Sequence, residues 1–162
     1  MPQSKEKEMN MGLRGFDRSL PMSLMRARES VMKEFVPHLR EHDLTPQQWR
    51  VIRALEEQES PDMSELSERC FLLKPSLSRI VQTLEGKDLI KRSSDAADQR
   101  RSGLKITKTG RALFDKIAPE SAERYERITR LFGFAKLELL YELLDELVIA
   151  LEEGDGSSKP SG

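Results

Sequence analysis

The sequence is poor in cysteine and has no long apolar stretch. Cys70 is the one cysteine in 162 residues, so an internal disulfide framework is excluded. No basic-then-apolar leader stands at the start of the chain, and no segment approaches the roughly 18 to 20 uninterrupted apolar residues of a membrane span. These absences predict a soluble cytoplasmic protein that makes no contact with membranes.

Histidine is also scarce, which limits metal and acid–base chemistry. The two histidines are His38 and His42, and with Glu41 they spell H-x-x-E-H, the pattern of inverted zinc peptidases. A catalytic zinc needs both imidazoles on one helical face and a third protein ligand, whereas Pro37 and the approaching helix end shorten that face. We therefore interpret the motif as a coincidence, and we expect no metal site, no cofactor and no enzymatic activity.

Neither sign of charge is in excess overall, but the charges are unevenly spread. The net charge of −1 alone would disfavour nucleic acid as a partner. Residues 74–111, however, contain ten basic and four acidic side chains, a net charge of +6, so the rest of the chain carries −7. Because the local field rather than the total charge steers a protein onto DNA, the segment 74–111 is the candidate binding surface.

The apolar content suggests that the chain pairs with a second copy. Apolar residues make up 37% of the chain and charged residues 34%, which is a low apolar share for a compact monomer. The last predicted helix carries a wide apolar stripe that needs a partner, either the first helix of the same chain or helices of a second subunit. We expect a homodimer. The stripe consists of Leu137, Tyr141, Leu144, Val148 and Leu151.

Start and stop signals divide the chain into six predicted helices and one hairpin. A first helix covers about 18–41, and Pro37 should bend it or break its last turn. Thr45-Pro46-Gln47-Gln48 opens a second helix, and Asp62-Met63-Ser64-Glu65 opens a short third one, both with capping-box patterns. A fourth helix follows Lys74, two short strands flank a polar loop, and two terminal helices are separated at Gly133.

This order of elements predicts the fold class, which is mainly α with a small β-hairpin wing. It is a winged helix-turn-helix flanked by N- and C-terminal dimerisation helices. We place the winged helix at 45–110 and the dimerisation helices at 18–41 and 108–152, within one domain that covers 18–152. By composition, 1–17 is a flexible extension and 153–162 a flexible tail.

The fourth helix is the candidate recognition helix. Its apolar residues recur at i, i+3, i+4 and i+7 and form one face. The opposite face carries short hydrogen-bonding side chains and one arginine, and it has no carboxylate before Glu85. Such side chains suit base edges and phosphates, whereas a merely solvated face would mix in Glu and Asp. We predict that Lys74 contacts a phosphate and that the major groove is contacted by Ser76, Ser78, Arg79 and Gln82.

The polar loop between the two short strands is the candidate wing. It is too long for a tight turn and ends in Arg100 and Arg101. These arginines are predicted to reach a phosphate or the minor groove. Asp98 supports the loop by binding backbone amides or the second arginine.

These features resemble the MarR family of bacterial transcriptional regulators over about residues 20–152. Asp98-Gln99-Arg100-Arg101 matches that family's D-x-R-R wing motif, and Ile106 to Gly110 is similar to its L-T-x-x-G entry to the following helix. Against the family's uninterrupted dimer helix, Pro119 is a departure. The resemblance implies a winged-helix homodimer that binds a pseudo-palindromic operator in double-stranded DNA.

Further motifs resemble one group within the family, the repressors of homoprotocatechuate-degradation operons. They are Leu44 to Arg50, Arg69-Cys70, Lys74 to Leu77 and Leu24 to Glu29. What this resemblance implies is repression of an aromatic-catabolism operon, relieved by an aromatic acid or its thioester.

The family resemblance also implies an effector pocket where the dimer helices meet the winged domain. Trp49 is the candidate aromatic wall of that pocket, and Arg28 is the candidate partner of a carboxylate. Arg50, Arg53 and Cys70 are further candidates.

Two other functions stay open. Arg69 and Lys74 are near Cys70 in sequence, and cations that depress a thiol pKa make it reactive, so the alternative is a redox-sensing MarR-type regulator that uses Cys70. The second alternative is a helical protein-interaction module that does not bind DNA. In that case Arg79→Ala and Arg100→Ala would leave function unchanged.

Overall fold

The computed structural model describes residues 13–94 and 102–156, and within them the chain forms six α-helices and one two-stranded antiparallel sheet. The predicted fold class, mainly α with a β-hairpin, is confirmed. The elements in chain order are α1 (Leu20–Glu41), α2 (Pro46–Glu57), α3 (Met63–Cys70), α4 (Lys74–Gly86), β1 (Ile90–Ser94), β2 (Ser102–Ile106), α5 (Lys108–Phe132) and α6 (Phe134–Gly156).

Two helix ends differ from the predicted ones. The helix α1 begins at Leu20 rather than at about Arg18, because Ser19 is extended and Phe16–Arg18 forms a separate 3-10 turn. The helix α6 continues to Gly156, so the first residues of the predicted tail 153–162 are helical. Residues 1–12 and 157–162 of the two segments that were predicted to be flexible lie outside the described residues.

The prolines inside α1 and α5 do not end these helices. Of the two predicted effects of Pro37, a bend or a broken last turn, the broken turn is wrong, because α1 continues to Glu41. The helix α5 likewise continues through Pro119. An internal proline removes one backbone hydrogen bond. Leu39 and Ile117, each two residues from a proline, are fully buried, so core packing offsets that loss.

Both predicted capping boxes are confirmed. Thr45 Oγ1 accepts from the Gln48 amide at 3.2 Å, and Gln48 Oε1 accepts from the Thr45 amide at 3.0 Å. Asp62 and Glu65 form the same reciprocal pair at 2.9 and 2.8 Å. Because a cap is worth about 1 kcal/mol, these four side chains fix where α2 and α3 begin.

The core joins the C-terminal half of α1 to the winged unit. Phe35 and Leu39 of α1 are buried in one cluster with Trp49, Ile52 and Leu55 of α2. The same cluster holds apolar side chains of α3, α4, the hairpin and α5, namely Leu66, Cys70, Leu77, Val81, Leu84, Ile90, Leu104 and Ile117.

The β-hairpin is anchored to the loop between α2 and α3. Ser60 Oγ and Ser93 Oγ are 2.8 Å apart, and the Leu104 amide donates to the Pro61 carbonyl at 2.9 Å. Gly103 lies so close to this loop that a Cβ there would be 1.9 Å from Ser60 Oγ. We call this contact between residues 60–61 and 93, 103 and 104 the hairpin anchor; it sets the direction of the hairpin relative to α4.

The apolar face of α6 is mostly uncovered within the described part of the chain, although Leu137, Leu144 and Leu147 are half-buried. No α6 residue whose side chain is described is buried, and Tyr141, Val148 and Leu151 are 48%, 53% and 67% exposed. The part of α1 that precedes the core is similar, since Leu24 and Val31 are also exposed. Packing of the stripe of α6 on the first helix of the same chain is therefore not observed.

None of the described helices is both long and apolar enough to cross a membrane.

Candidate nucleic-acid interface and ligand cavity

The helix α4 presents a polar face to solvent. On its apolar face, Leu77, Val81 and Leu84 are fully buried, and Ile80 is partly buried. Of the five side chains that were predicted to bind DNA from this helix, Ser78 is half-buried, and the other four are exposed: Lys74, Ser76, Arg79 and Gln82. The face is thus available to a groove of DNA as its sequence predicted.

The cations of this face are not neutralised by any residue that the structure describes. Within residues 13–94 and 102–156, Lys74 and Arg79 form no ion pair, whereas Arg92 is paired with Glu85 at 3.2 Å. A free guanidinium or ammonium group on an exposed helix can bind phosphate or a base edge without first breaking an internal contact.

A groove of about 370 Å³ runs between α4 and the start of α2. Two further exposed polar residues line it, Gln47 and Thr83. The sequence places Thr83 on the polar face of α4 but gives it no predicted DNA contact, and it gives Gln47 no part in the interface. Gln47 was assigned only to the start signal of its helix, and no local pattern shows that the first turn of α2 lies beside Ser76 and Arg79.

The predicted wing residues Asp98, Arg100 and Arg101 lie outside the described residues. Their assignment to DNA binding and to loop support stays a prediction. The two strands that flank them are in the predicted place, with Ile90 opposite Ile106 and Ser94 opposite Ser102.

A cavity of about 350 Å³ lies where α1 and α5 meet α2 and α3. It brings together four of the five predicted effector residues: Trp49, Arg50, Arg53 and Cys70. Arg28 is not among its lining residues; its Nη1 instead lies 3.0 Å from Glu29 Oε1, on the exposed part of α1.

Aromatic rings form two walls of this cavity. Trp49 stacks on Phe114 with ring centroids 5.5 Å apart, and Phe35 contacts Tyr125 with centroids 4.8 Å apart. Trp49, Phe35 and Tyr125 all line the space. Flat apolar walls of this kind suit an aromatic ligand.

Three arginines and one glutamate give the cavity its charge. Arg50 Nη1 donates to the Cys70 carbonyl at 2.9 Å, and Arg53 Nη1 donates to the Tyr125 hydroxyl at 3.4 Å. Arg69 is paired with Glu57. The lining therefore carries a net formal charge of +2, which favours an anionic ligand.

Sequence reasoning did not assign Phe35, Glu57, Arg69 or Tyr125 to this site, although all four line the cavity. Tyr125 is 72 residues from Arg53 in the chain, and the hydrogen bond between them depends on how α5 crosses α2. Arg69 was noticed only as a neighbour of Cys70. A spacing pattern within one helix carries no signal for such a contact.

The thiol of Cys70 is in an environment that disfavours a thiolate. Cys70 is 1% exposed, and burial raises the pKa of its thiol. Arg50 and Arg69 act in the opposite direction but have the smaller effect. Reactive thiols need a lowered pKa and access to solvent, so this geometry argues against oxidant sensing.

The two histidines link α1 to α5. His38 Nε2 lies 3.0 Å from Ser121 Oγ in the interior, and His42 Nε2 lies 2.9 Å from Glu120 Oε2. Burial lowers the pKa of His38, and Arg124 adds to that effect. Among the described residues there is no group of three or more His, Cys, Asp or Glu side chains that could hold a metal ion.

Comparison with known proteins agrees with this geometry. The sequence pattern of the MarR family matches residues 42–101. The HTH-type transcriptional regulator FarR of Neisseria gonorrhoeae is 40% identical over 129 residues, which cover 80% of this chain and 88% of FarR. The homoprotocatechuate degradative operon repressor of Escherichia coli is 37% identical over 130 residues, with the same coverage.

A solved structure, NadR in complex with 4-hydroxyphenylacetate, is similar over 85% of this chain and 97% of NadR, with a TM-score of 0.72 and 39% identity. The relatives are transcriptional regulators, which confirms the expectation that the chain is not an enzyme. A polar helix with free cations, a hairpin anchored beside it and these relatives together show that the chain is a DNA-binding transcriptional regulator that belongs to the MarR family.

Proposed function

We propose that this chain is a homodimeric repressor of an aromatic-catabolism operon that leaves its operator when an aromatic acid binds. The observation that carries the proposal is the cavity, in which the ring of Trp49 and a cluster of arginines lie against α3, the helix that precedes the recognition helix. The names of the relatives, a homoprotocatechuate operon repressor and a 4-hydroxyphenylacetate-binding regulator, support the pathway and the ligand class.

Homodimerisation is supported by the apolar surface that the single chain leaves uncovered. The face of α6 and the first half of α1 expose large apolar side chains, and helices of this kind are stable in water only when paired. A two-fold dimer would place two α4 helices about one turn of DNA apart, roughly 34 Å, which suits a pseudo-palindromic operator.

In the proposed complex, each part of the interface has a separate task. Arg79, Ser76, Ser78 and Gln82 read base edges in the major groove, and Lys74 holds a phosphate. The wing arginines Arg100 and Arg101 add contacts to the backbone or the minor groove, with Asp98 as loop support. The protein would carry out this task in the cytoplasm, where the operator is.

Release by ligand follows from the position of the cavity. It is lined by α1 and α5 on one side and by α2 and α3 on the other. A ligand that binds best when these two sides stand at a different separation shifts the dimer toward a spacing that no longer matches one DNA turn. Trp49 supplies an aromatic wall, and Arg53 and Arg50 supply cations for the carboxylate.

The redox alternative has less support. Because Cys70 is buried and its thiol pKa is raised, oxidation requires the core to open first. An oxidant that releases wild-type protein but not Cys70→Ser from DNA would restore this alternative.

Fluorescence anisotropy with DNA from upstream of the gene and its neighbouring operon tests the proposal. We expect tight, salt-dependent binding to this fragment, weak binding to a random duplex, and release by 4-hydroxyphenylacetate or a related aromatic acid. Equal affinity for both duplexes contradicts sequence-specific repression. Specific binding that no aromatic acid changes contradicts only the effector class.

A further inference from the structure

Glu57 is the one carboxylate among the described residues that line the cavity, and it occupies cations that an acid ligand would use. Its Oε2 accepts from Arg69 Nη2 at 2.5 Å, and its Oε1 lies 3.8 Å from Arg53 Nη2. Arg50 is held by the Cys70 carbonyl. An internal carboxylate therefore lies beside the arginines that are expected to bind the carboxylate of an effector.

These contacts are easy to exchange. The side chains of Glu57, Arg53 and Arg69 are 51%, 47% and 41% exposed. Ion pairs with this much access to water are weak, because solvent screens the attraction and two long side chains must be ordered. An incoming carboxylate can replace that of Glu57 without leaving a buried charge unpaired.

Arg69 connects this exchange to the DNA-binding unit. It lies in the last turn of α3, and its Nη1 donates to the Ala54 carbonyl at 3.3 Å and to Gln58 Oε1 at 3.2 Å, both at the end of α2. With the Glu57 pair, one guanidinium makes three contacts between α3 and α2. Of the three cavity arginines, Arg69 alone belongs to the helix that leads directly into the turn before α4.

We propose that Glu57 is an internal counter-ion of the cavity, which the carboxylate of the effector displaces from Arg69. The displacement changes how α3 is held on the end of α2. This inference rests on the proposed function and names the regulation of the same site: the ligand must be an anion, and it competes with a residue of the protein.

The fluorescence of Trp49, the only tryptophan of the chain, reports binding in the cavity that it lines. We would titrate wild type, Glu57→Gln and the control Glu126→Gln with 4-hydroxyphenylacetate and with its neutral amide. Glu126 also pairs with an arginine four residues away, at 3.8 Å to Arg130, but is not among the residues that line the cavity. Circular dichroism verifies that all three proteins are folded.

We expect Glu57→Gln to bind the acid about three- to fivefold more tightly than wild type, because it removes a competing charge of the strength of an exposed ion pair. The affinity for the amide stays unchanged, and Glu126→Gln behaves like wild type.

Each other outcome overturns the inference. Equal or weaker binding of the acid by Glu57→Gln means that Glu57 does not compete. Equal tightening of acid and amide means that shape rather than charge has changed. If neither wild type nor Glu57→Gln binds the acid, the effector class of the proposed function fails as well, whereas binding of the acid that Glu57→Gln does not alter leaves that function intact.

Discussion

The cations of residues 74–111 differ in whether an acidic side chain of the protein already binds them. Lys87 is bound to Asp43 at 2.9 Å and Arg111 to Glu56 at 2.7 Å, both within the protein. Lys74 and Arg79 on α4 have no such partner in the described residues. At the scale of the residue, the count of basic side chains in 74–111 therefore overstates the number of cations that are available to DNA. The cations without an ion pair are the candidates for DNA contacts.

Replacing these two free cations should have different effects. Arg79→Ala should relax base preference at one or two positions of the operator at a cost of about 1 to 3 kcal/mol, because a guanidinium in the major groove reads a base. Lys74→Ala should weaken binding to all sequences alike, because phosphate contacts carry no sequence information. Anisotropy titrations on operator and random duplexes measure both.

Arg92→Ala is the matched control, since this side chain is already paired with Glu85. It should change the affinity less than either variant. Equal losses on operator and random DNA for Arg79→Ala and Lys74→Ala would show that the two roles are assigned wrongly.

The residues of the cavity show what sequence could and could not predict. Trp49, Arg50, Arg53 and Cys70 were candidates because the family resemblance implied a pocket in this region and because of their side chains, and they do lie together. Arg28 was chosen for its charge and its helix, but it does not line the cavity and instead contacts Glu29. Glu57, Arg69 and Tyr125 depend on the crossing of three helices, which no local pattern encodes.

At the scale of the element, local signals predicted the starts of helices best. The caps at Thr45 and Asp62 are set by side chains within four residues of each other, so they are readable from sequence. Whether Pro37 breaks its helix depends instead on the burial of neighbours such as Leu39, a tertiary effect. The hairpin anchor is likewise a contact between distant segments.

Gly103→Ala tests the hairpin anchor. The new Cβ would lie 1.9 Å from Ser60 Oγ and 2.6 Å from the Ser60 carbonyl oxygen, so the hairpin must shift away from the loop. We expect a loss of about 1 to 3 kcal/mol in the free energy of unfolding, typical of overpacking, and weaker DNA binding. Urea denaturation and anisotropy measure the two effects.

Gly86→Ala serves as the control for stability, because nothing lies within 4 Å of a Cβ at that position. It should be neutral or stabilising by less than about 1 kcal/mol. If Gly103→Ala is as stable as wild type, the anchor does not restrain the hairpin.

The contact between α1 and α5 should make stability depend on pH. Burial and Arg124 hold the pKa of His38 below its ordinary value near 6.5. The unfolded chain therefore binds more protons than the folded one as pH falls below about 6.5, and stability is lost in that window. Asp43, whose pKa Lys87 lowers from 3.8, contributes only at more acidic pH.

Urea denaturation between pH 8 and pH 5 measures this dependence. Wild type should be least stable at the acidic end, and His38→Asn should show a smaller slope because the buried titrating group is gone. His42→Gln controls for the neighbouring pair with Glu120. A slope that survives in His38→Asn would assign the titration to other groups.

At the scale of the whole molecule, the winged unit and the end of α1 contain the buried core, whereas α6 and the start of α1 carry exposed apolar side chains. The winged unit is closed around the cluster that includes Trp49 and Leu77. By contrast, α6 buries no described side chain. This uncovered apolar surface is the strongest argument for a dimer. The composition and the apolar stripe of the last helix had already led us to expect one.

Tyr141→Glu combined with Val148→Glu should break the dimer. Both side chains are about half exposed in the single chain and lie seven residues apart on one face of α6. Charges buried there without partners would oppose association. We expect the monomer mass in light scattering. Tight operator binding should be lost, because a monomer contacts only one half-site of the operator.

Glu146→Gln is a control on the same helix and should stay dimeric. A double variant that keeps the dimer mass would place the interface elsewhere.

The uncovered face of α6 should make degradation of the protein in the cell depend on its concentration. A single subunit would present the apolar face of α6 to proteases and chaperones, whereas the proposed dimer would cover that face. By mass action, the melting temperature should rise with protein concentration. If the proposed dimer forms, newly made subunits that stay unpaired would be degraded first, and the amount of active protein would be limited by assembly as well as by synthesis.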